Sequence, residues 1–229
     1  GLVWMGEEHF MKTQIEEKLA QGFSCIKLKI GAIDFDKELG LLRFIRQNFD
    51  AQTIEIRVDA NGAFDSNEAL DKLYQLNEFE LHSIEQPIKA NQIQEMKVLC
   101  QKAPFPIALD EELIGVFGIE NKRKLLEEIQ PQYIILKPSL VGGFKGTLEW
   151  IELAEKHNIG WWITSALESN IGLNAITQFT YTLNNKMPQG LGTGGLYNNN
   201  FDCPLAIVKG NIGYNLNKNW DISNLGLQL

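Results

Sequence analysis

Five charged residues follow apolar, strand-like stretches at nearly regular intervals along the chain. In order they are a lysine, three acids and a second lysine: Lys29, Asp59, Glu85, Asp110 and Lys137. The intervals are 30, 26, 25 and 27 residues (29 to 59, 59 to 85, 85 to 110, 110 to 137), and each fits one strand plus one helix. We therefore expect successive strands to deliver one charged side chain apiece to the same edge of a sheet.

Three carboxylates at one buried edge would repel one another and lose hydration, so they require a compensating cation. Ligands that are all oxygen select a hard divalent ion, Mg²⁺ or Mn²⁺. A metal and a second ammonium nearby favour proton loss from one amine, so one of the two lysines could act as a base at neutral pH. Such a site would remove a proton α to a carboxylate and stabilise the resulting enediolate.

Each of these residues also has a simpler interpretation when it is considered alone. A strand-end aspartate such as Asp59 is more often a helix cap or a turn residue than a metal ligand. Glu85 could merely end a strand, and Lys137 could extend its charged end into solvent. Five charged groups on consecutive strands, each after apolar residues, favour a shared site over separate coincidences.

Two assignments near this site stay open on the sequence alone. The carboxylates of Asp110, Glu111 and Glu112 cannot all face one interior, because side chains alternate along a strand. Asn61 has the parity of Asp59. It could therefore hydrogen-bond within the site, or it could form an Asn-Gly turn.

The segments that must position these residues alternate between short apolar runs and amphipathic stretches. We predict eight strands, at 2–5, 24–30, 54–59, 81–85, 107–110, 133–137, 160–165 and 190–191. One helix is predicted to begin at Thr13, which forms a capping box with Glu16, and to end at Gly22. A second helix is predicted to begin at the cap Asp34. Five more helices are predicted at 66–77, 91–102, 119–129, 144–157 and 170–183.

Eight strands separated by seven helices predict an α/β fold with a parallel sheet, closed as a TIM-type barrel. Residues 201–216 look like extended chain or a hairpin rather than an eighth helix, so the barrel is expected in the modified (β/α)7β form. A doubly wound open sheet is the alternative. It is disfavoured because no GxGxxG motif follows the first strand.

Composition limits the partners. The formal net charge is −8 and the pI is near 5.0, which argues against a nucleic-acid partner, since phosphate binding needs clustered Lys and Arg. No apolar run approaches the roughly 20 residues that span a bilayer. Three cysteines that are far apart favour a reducing cytoplasm over a disulfide framework. We expect a small-molecule carboxylate as the partner, and the sequence carries no signal for oligomeric state.

The stretches KLK, VDAN, IEQP, ALDEE and LKP, in this order and spacing, resemble the enolase superfamily. The resemblance is to the branch with muconate cycloisomerases, dipeptide epimerases and o-succinylbenzoate synthases, and it spans nearly the whole chain. It implies three Mg²⁺ ligands: Asp59, Glu85 and Asp110. It also implies that Lys29 is the base on one face of the substrate and Lys137 the ammonium on the other. Lys27 would help to bind the substrate carboxylate.

Two later segments narrow this resemblance. ITSALESNIGLNAI (163–176) and QGLGTGGLYNNN (189–200) are similar to the corresponding parts of o-succinylbenzoate synthases. A dipeptide epimerase would be expected to show an Asp-x-Asp pair where Gly192, Thr193 and Gly194 stand. Backbone N–H groups there, with Ser165, suit a succinyl carboxylate. A tight turn and an ordinary strand-end serine are the alternatives for these residues.

The resemblance implies the dehydration of 2-succinyl-6-hydroxy-2,4-cyclohexadiene-1-carboxylate to 2-succinylbenzoate, a step toward menaquinone. The alternative activity is an N-acylamino-acid or dipeptide racemase/epimerase, because two lysines on opposite faces suit two-base proton exchange. Residues 1–229 are expected to form one catalytic barrel domain. Nothing here corresponds to the N-terminal α+β capping domain of the family, so we expect a fragment, and a barrel that binds metal and ligand without turnover is a further alternative.

Overall fold

The computed structural model describes residues 1–223, in which seven parallel strands alternate with seven α-helices. Strands β1–β7 are Leu2–Val3, Cys25–Lys29, Glu55–Asp59, Ser83–Glu85, Ile107–Leu109, Tyr133–Leu136 and Gly160–Ile163. Helices α1–α7 are Glu8–Ala20, Phe35–Asn48, Ala69–Leu76, Ile93–Lys102, Ile119–Ile129, Gly143–Lys156 and Asn170–Thr182. Three 3-10 helices lie at Asn77–Phe79, Glu111–Leu113 and Thr193–Leu196. No helix within residues 1–223 is both long and apolar enough to cross a bilayer.

The strands pair in sequence order, β1-β2-β3-β4-β5-β6-β7, and every pairing is parallel. This order confirms the predicted α/β barrel class. The predicted eighth strand is reduced to one parallel bridge between Thr164 and Gly190. Gln189, the residue before this bridge, uses its side-chain oxygen rather than its backbone to accept the N–H of Ile163, at 2.7 Å. The seven-stranded sheet is therefore extended by a single bridge rather than by a full strand.

The outward and inward faces of the strands contact different surroundings. The outward residues, such as Leu28, Val58 and Leu109, are fully buried in one large apolar core. Inside the barrel, the described residues form a small apolar cluster of Ala108, Ile135 and Trp162. Because successive side chains of a strand point to opposite faces, the same alternation that builds the outer core leaves polar positions for the interior.

Several helix ends differ from the predicted ones. Helix α1 begins at Glu8, and Thr13 lies inside it, where its hydroxyl donates to the carbonyl oxygen of His9. The predicted capping box is wrong because the earlier start lets α1 bury Met11 against the core, which outweighs one cap. Helix α3 likewise begins at Ala69 rather than 66. The caps at Gly22, where φ is +79°, and at Asp34, which accepts from the N–H of Asp36, are as predicted.

The last described segment is the predicted hairpin. Strands β8, Leu205–Val208, and β9, Asn211–Tyr214, pair antiparallel. Lys209 and Gly210 connect them, and both have positive φ angles, as expected for the tight turns whose twist matches a hairpin.

Candidate active site

The carboxyl ends of neighbouring strands bring the predicted charged residues to one rim. Lys29 is in register with Asp59, and Asp59 is in register with Glu85. Asp110 and Lys137 each follow the last residue of their strands, β5 and β6. Since parallel strands end on the same side of a sheet, all five side chains meet there.

Three lysines neutralise three buried carboxylates at this rim. Lys27 Nζ lies 2.9 Å from Asp59 Oδ2 and 2.6 Å from Glu85 Oε2. Lys29 Nζ lies 2.5 Å from the same Asp59 oxygen. Lys137 forms an ion pair with Asp110 Oδ2. The acids Asp59, Glu85 and Asp110 are only 0%, 2% and 1% exposed, so their charges depend on these partners.

The two neighbouring acids on β3 and β4 respond in opposite ways to this environment. Burial raises the pKa of Glu85 well above 4.5; Lys27 opposes this shift, and Asp59 and Asp110 add to it. Burial also acts to raise the pKa of Asp59, but Lys27 and Lys29 together outweigh it and hold that pKa well below its usual value. Asp59 is therefore the firmly ionised member of the pair.

Lys27 and Lys137 are held as ammonium ions by the acids that they face. Burial acts to lower the pKa of Lys27, but the charges of Glu85 and Asp59 raise it above its ordinary value. The pKa of Lys137 is also raised, because Asp110 and Glu85 outweigh the effect of burial. Lys137 therefore presents a positive charge at this rim.

The three acids fit a divalent cation by their chemistry, although they are not arranged around one. Within residues 1–223, no three His, Cys, Asp or Glu side chains form a ready cluster for a metal ion, because each predicted ligand is turned toward a lysine. Glu85 Oε1 is buried without a hydrogen-bond partner, which leaves a carboxylate oxygen unsatisfied at the centre of the rim. Three oxygen donors of this kind suit Mg²⁺ or Mn²⁺.

Asn61 hydrogen-bonds within the charged rim, which was one of the two possibilities that the sequence left open. Its side-chain oxygen accepts from Lys29 Nζ at 2.6 Å, and its amide nitrogen donates to Glu111 Oε1 at 2.8 Å. Its backbone N–H donates to Asp59 Oδ1 at 3.0 Å. Asn61 thus orients the predicted base, and its shared parity with Asp59 was the available signal.

The three carboxylates that follow β5 have three different partners. Asp110 pairs with Lys137, Glu111 accepts from Asn61, and Glu112 accepts from the side chain of Gln86. Burial and the nearby charge of Asp110 raise the pKa of Glu111 above its ordinary value. The three carboxylates are separate, as expected, but the reason differs from the predicted one: β5 ends at Leu109, and Glu111 and Glu112 lie in a 3-10 helix rather than in a strand.

The rim opens into a cavity of about 840 Å³. Its lining contains all three lysines of the rim and the four predicted substrate-binding residues: Lys27, Ser165, Gly192 and Thr193. The hydroxyl oxygens of Ser165 and Thr193 are 2.5 Å apart, and both residues are buried. The structure therefore brings together two predicted residues that are 28 positions apart in the sequence.

Trp4 is a lining residue that we did not select from the sequence. Its ring centroid lies 5.9 Å from Lys29 Nζ. The side chain of Gln14 holds its backbone at both the N–H and the carbonyl oxygen, at 2.9 Å each. The position of Trp4 near the carboxyl end of the predicted strand 2–5 was the signal that could have found it.

A family model and several known enzymes match most of the chain. A family model described as enolase C-terminal domain-like matches residues 11–213. An o-succinylbenzoate synthase from Desulfotalea psychrophila is 59% identical over 93% of this chain and 58% of its own length. An N-succinylamino acid racemase from Thermus thermophilus is 34% identical over 69% of this chain and 40% of its own length.

A solved structure gives the same result. The crystal structure of MenC from Desulfotalea psychrophila LSv54 superposes with a TM-score of 0.86 and 57% identity, over 93% of this chain and 59% of that one. The chain therefore spans a little over half the length of these two relatives from Desulfotalea psychrophila. These similarities confirm the resemblance that the five motifs predict.

Proposed function

Because this chain belongs to the enolase C-terminal domain-like family, we propose that its rim of charged residues catalyses a Mg²⁺-dependent dehydration. The substrate is 2-succinyl-6-hydroxy-2,4-cyclohexadiene-1-carboxylate, and the product is 2-succinylbenzoate, an intermediate on the way to menaquinone. The observation that carries the proposal is that Lys29 and Lys137, four strands apart in the sheet, line one cavity. The 59% identity to an o-succinylbenzoate synthase supports the choice of substrate.

Asp59, Glu85 and Asp110 would hold the divalent ion, Mg²⁺ or Mn²⁺. When bound, the ion would supply the positive charge that balances these carboxylates and polarises a substrate carboxylate. Lys27, which now pairs with Asp59 and Glu85, would then be free to pair with that substrate carboxylate.

Lys29 would take the proton α to the carboxylate, and Asn61 would hold its amine in place. The same lysine, now an ammonium, would give a proton to the departing hydroxyl on the same face. One C–H bond and one C–O bond break, water leaves, and the ring becomes aromatic. Lys137 would stabilise the delocalised anion by its charge. Ser165, Gly192 and Thr193 would hold the succinyl carboxylate at the cavity wall.

The lysine assignment is tested by following the loss of the diene absorbance with Lys29→Ala protein. We expect the rate to fall by at least about a thousandfold, because a general base contributes about 10²–10⁴-fold and the acid step is lost with it. Lys124→Ala, at an exposed lysine of α5, is the control and should keep the wild-type rate. A folded Lys29→Ala protein with an unchanged rate would remove Lys29 from the mechanism.

A racemase is the second candidate, and it is favoured by the similarity to the N-succinylamino acid racemase. The same two lysines could exchange the α proton of an N-succinylamino acid from both faces. Incubation of one enantiomer in D₂O tests this idea. Deuterium incorporation with formation of both enantiomers, in the absence of diene turnover, would favour the racemase.

We also propose that residues 1–229 act as the catalytic barrel domain of a longer protein. The support is that the chain spans 58% of the matched o-succinylbenzoate synthase. An intact-mass measurement on the native product would test it, and a mass near 25.9 kDa would contradict it. A barrel that binds metal and substrate without turnover stays the alternative for these residues alone.

Free cysteines at positions 25, 100 and 203 support a reducing compartment such as the cytoplasm.

A further inference from the structure

Gln86 is a fully buried residue that no step of the proposed reaction uses. It follows Glu85 directly, it is 0% exposed, and its backbone has a φ angle of +40°. A glutamine in the left-handed region is uncommon and persists only where its surroundings hold it there. Its contacts show what holds it.

The side-chain amide of Gln86 makes four hydrogen bonds. Its oxygen accepts from the N–H groups of Asp110 and Glu112, at 3.2 Å and 3.4 Å. Its nitrogen donates to the carbonyl oxygen of Ile88 at 3.0 Å and to Glu112 Oε2 at 3.1 Å. Two donors and two acceptors are the full capacity of such an amide.

The backbone of Gln86 reaches the neighbouring strands on both sides. Its N–H donates to the carbonyl oxygen of Ala108 at 2.9 Å, which continues the pairing of β4 with β5. Its carbonyl oxygen accepts from the N–H of Gly62 at 2.7 Å, in the loop that follows Asp59. Gly62 has a φ of +73°, and a Cβ there would lie 2.9 Å from the Cα of Lys89, so this loop has one tightly fixed path.

Asp110 is the acid that depends most on this arrangement. Its backbone has φ −127° and ψ −77°, outside the helical and extended regions. The N–H of Asp110 is held by the Gln86 side chain. Glu112 anchors the other side of the amide, since its second oxygen accepts from the N–H of Asn91 at 2.8 Å.

We infer that Gln86 is a positioning residue that fixes Asp59, Glu85 and Asp110 relative to one another. Gln86 follows Glu85 in the chain, and its side chain hydrogen-bonds the N–H of Asp110. Its backbone also hydrogen-bonds the loop that follows Asp59. The inference rests on the proposed function, in which these acids hold the divalent ion. Partners of this kind, which orient ligands without touching the metal, affect metal affinity about 10–100-fold.

The main variant is Gln86→Met, which keeps the length of the side chain and removes its amide. The matched control is Gln132→Met. Gln132 makes the same kind of bridge at the opposite end of β5, where its oxygen accepts from the N–H of Ile107 at 3.0 Å and its nitrogen donates to the carbonyl oxygen of Cys100 at 3.1 Å. Both variants lose side-chain hydrogen bonds to the backbone, which are buried at Gln86 and partly buried at Gln132, but only Gln86 lies at the rim.

Three measurements separate positioning from general stability. Calorimetric titration with Mn²⁺ should show affinity reduced about 10–100-fold in Gln86→Met and unchanged in Gln132→Met. Hydrogen exchange in EDTA should show the N–H groups of Asp110 and Glu112 exchanging at least about tenfold faster in Gln86→Met alone. Gln86→Met should lose activity at low Mn²⁺ and regain it at saturating Mn²⁺, which a purely structural defect would not allow.

A charge swap covers the case in which Gln86→Met does not fold. Gln86→Glu places two acids against each other at positions 86 and 112 and should weaken Mn²⁺ binding. Adding Glu112→Gln restores one hydrogen bond between these positions with its direction reversed, and it should recover much of the lost affinity. No recovery in a folded double variant would contradict the inference.

The outcomes distinguish this inference from the proposed function. If wild-type protein binds Mn²⁺ but forms no product, the proposed function fails and the affinity comparison still tests Gln86. If wild-type protein binds no divalent ion, the proposed function fails, and the inference fails with it. If wild type binds Mn²⁺ and Gln86→Met shows wild-type affinity and wild-type exchange at Asp110, the inference alone is overturned.

Discussion

Lys27 supplies the charge that two buried acids share, so its removal should have a large and pH-dependent effect. Lys27→Met keeps an apolar side chain of similar length and deletes the ammonium. Asp59 retains Lys29 at 2.5 Å. Within residues 1–223, Glu85 loses its only ion pair, and its second oxygen already has no hydrogen-bond partner. Glu85 therefore determines the size of the effect.

Removing one partner of a buried ion pair destabilises a protein by about 3–5 kcal/mol. We expect about 3 kcal/mol at pH 8, the lower end, because the Lys27 side chain is 20% exposed and Asp59 keeps a partner. The loss should shrink at lower pH. The pKa of Glu85 is already raised above 4.5 by burial, and loss of Lys27 raises it further. A raised acid pKa destabilises the fold only when the acid is ionised, so protonation below that pKa relieves the variant.

Urea unfolding followed by circular dichroism in EDTA, between pH 5 and pH 8, gives the required free energies. Lys156→Met is the control, since its ion pair with Glu152 is more than 60% exposed on both sides and should contribute little. Mg²⁺ at about 100 times its dissociation constant should return about 2.7 kcal/mol. A Lys27→Met protein within about 0.5 kcal/mol of wild type at pH 8, with no dependence on pH, would refute the reasoning; this limit is about the scatter of surface substitutions.

Four further predictions concern the rest of the chain. Gly40→Ala in α2 should raise the free energy of unfolding by about 0.5–1 kcal/mol, because a Cβ there meets nothing within 4 Å. Gly146→Ala in α6 should lower the free energy of unfolding by about 1–3 kcal/mol, because the added Cβ would clash with the carbonyl oxygen of Val141. Urea melts that rank the two variants in the reverse order would contradict both predictions. Burial raises the pKa of Glu38 above 4.5 despite three backbone N–H donors, so ionisation of Glu38 opposes folding. Wild type should therefore lose stability relative to Glu38→Gln as the pH rises from 4.5 to 7. Parallel profiles of unfolding free energy against pH would contradict this prediction. Burial also raises the pKa of Cys100 to about 12, so at pH 8 a thiol reagent should modify the half-buried Cys203 long before Cys100 in folded protein.

The sequence was sufficient for the order of strands and for the residues of the rim. Apolar strands with charged ends repeat about every 27 residues, and the alternation of side chains leaves only one face for each charge. Asp59 and Glu85 could therefore be assigned to one edge without knowledge of any contact. Ser165 and Thr193 were assigned to one pocket only through the resemblance of 163–176 and 189–200 to the corresponding parts of o-succinylbenzoate synthases.

The rest depends on contacts between residues that are far apart in the chain. The hydrogen bond from the N–H of Asp110 to the side chain of Gln86 joins positions 24 apart, and no local pattern indicates it. The pairing of Lys27 with Glu85 crosses 58 positions. The start of α1 was missed for a related reason, because burial of Met11 decides it and Thr13 only offers a competing cap. Tertiary contacts override local signals at each of these places.

The most direct measurement follows the diene absorbance of 2-succinyl-6-hydroxy-2,4-cyclohexadiene-1-carboxylate with full-length protein and Mg²⁺, then with excess EDTA, then with Mg²⁺ restored. We predict rapid conversion to the aromatic product, arrest by EDTA and recovery with Mg²⁺. Folded protein that binds Mg²⁺ and leaves the diene unchanged would contradict the dehydratase. Conversion that continues in EDTA would contradict the metal role of Asp59, Glu85 and Asp110.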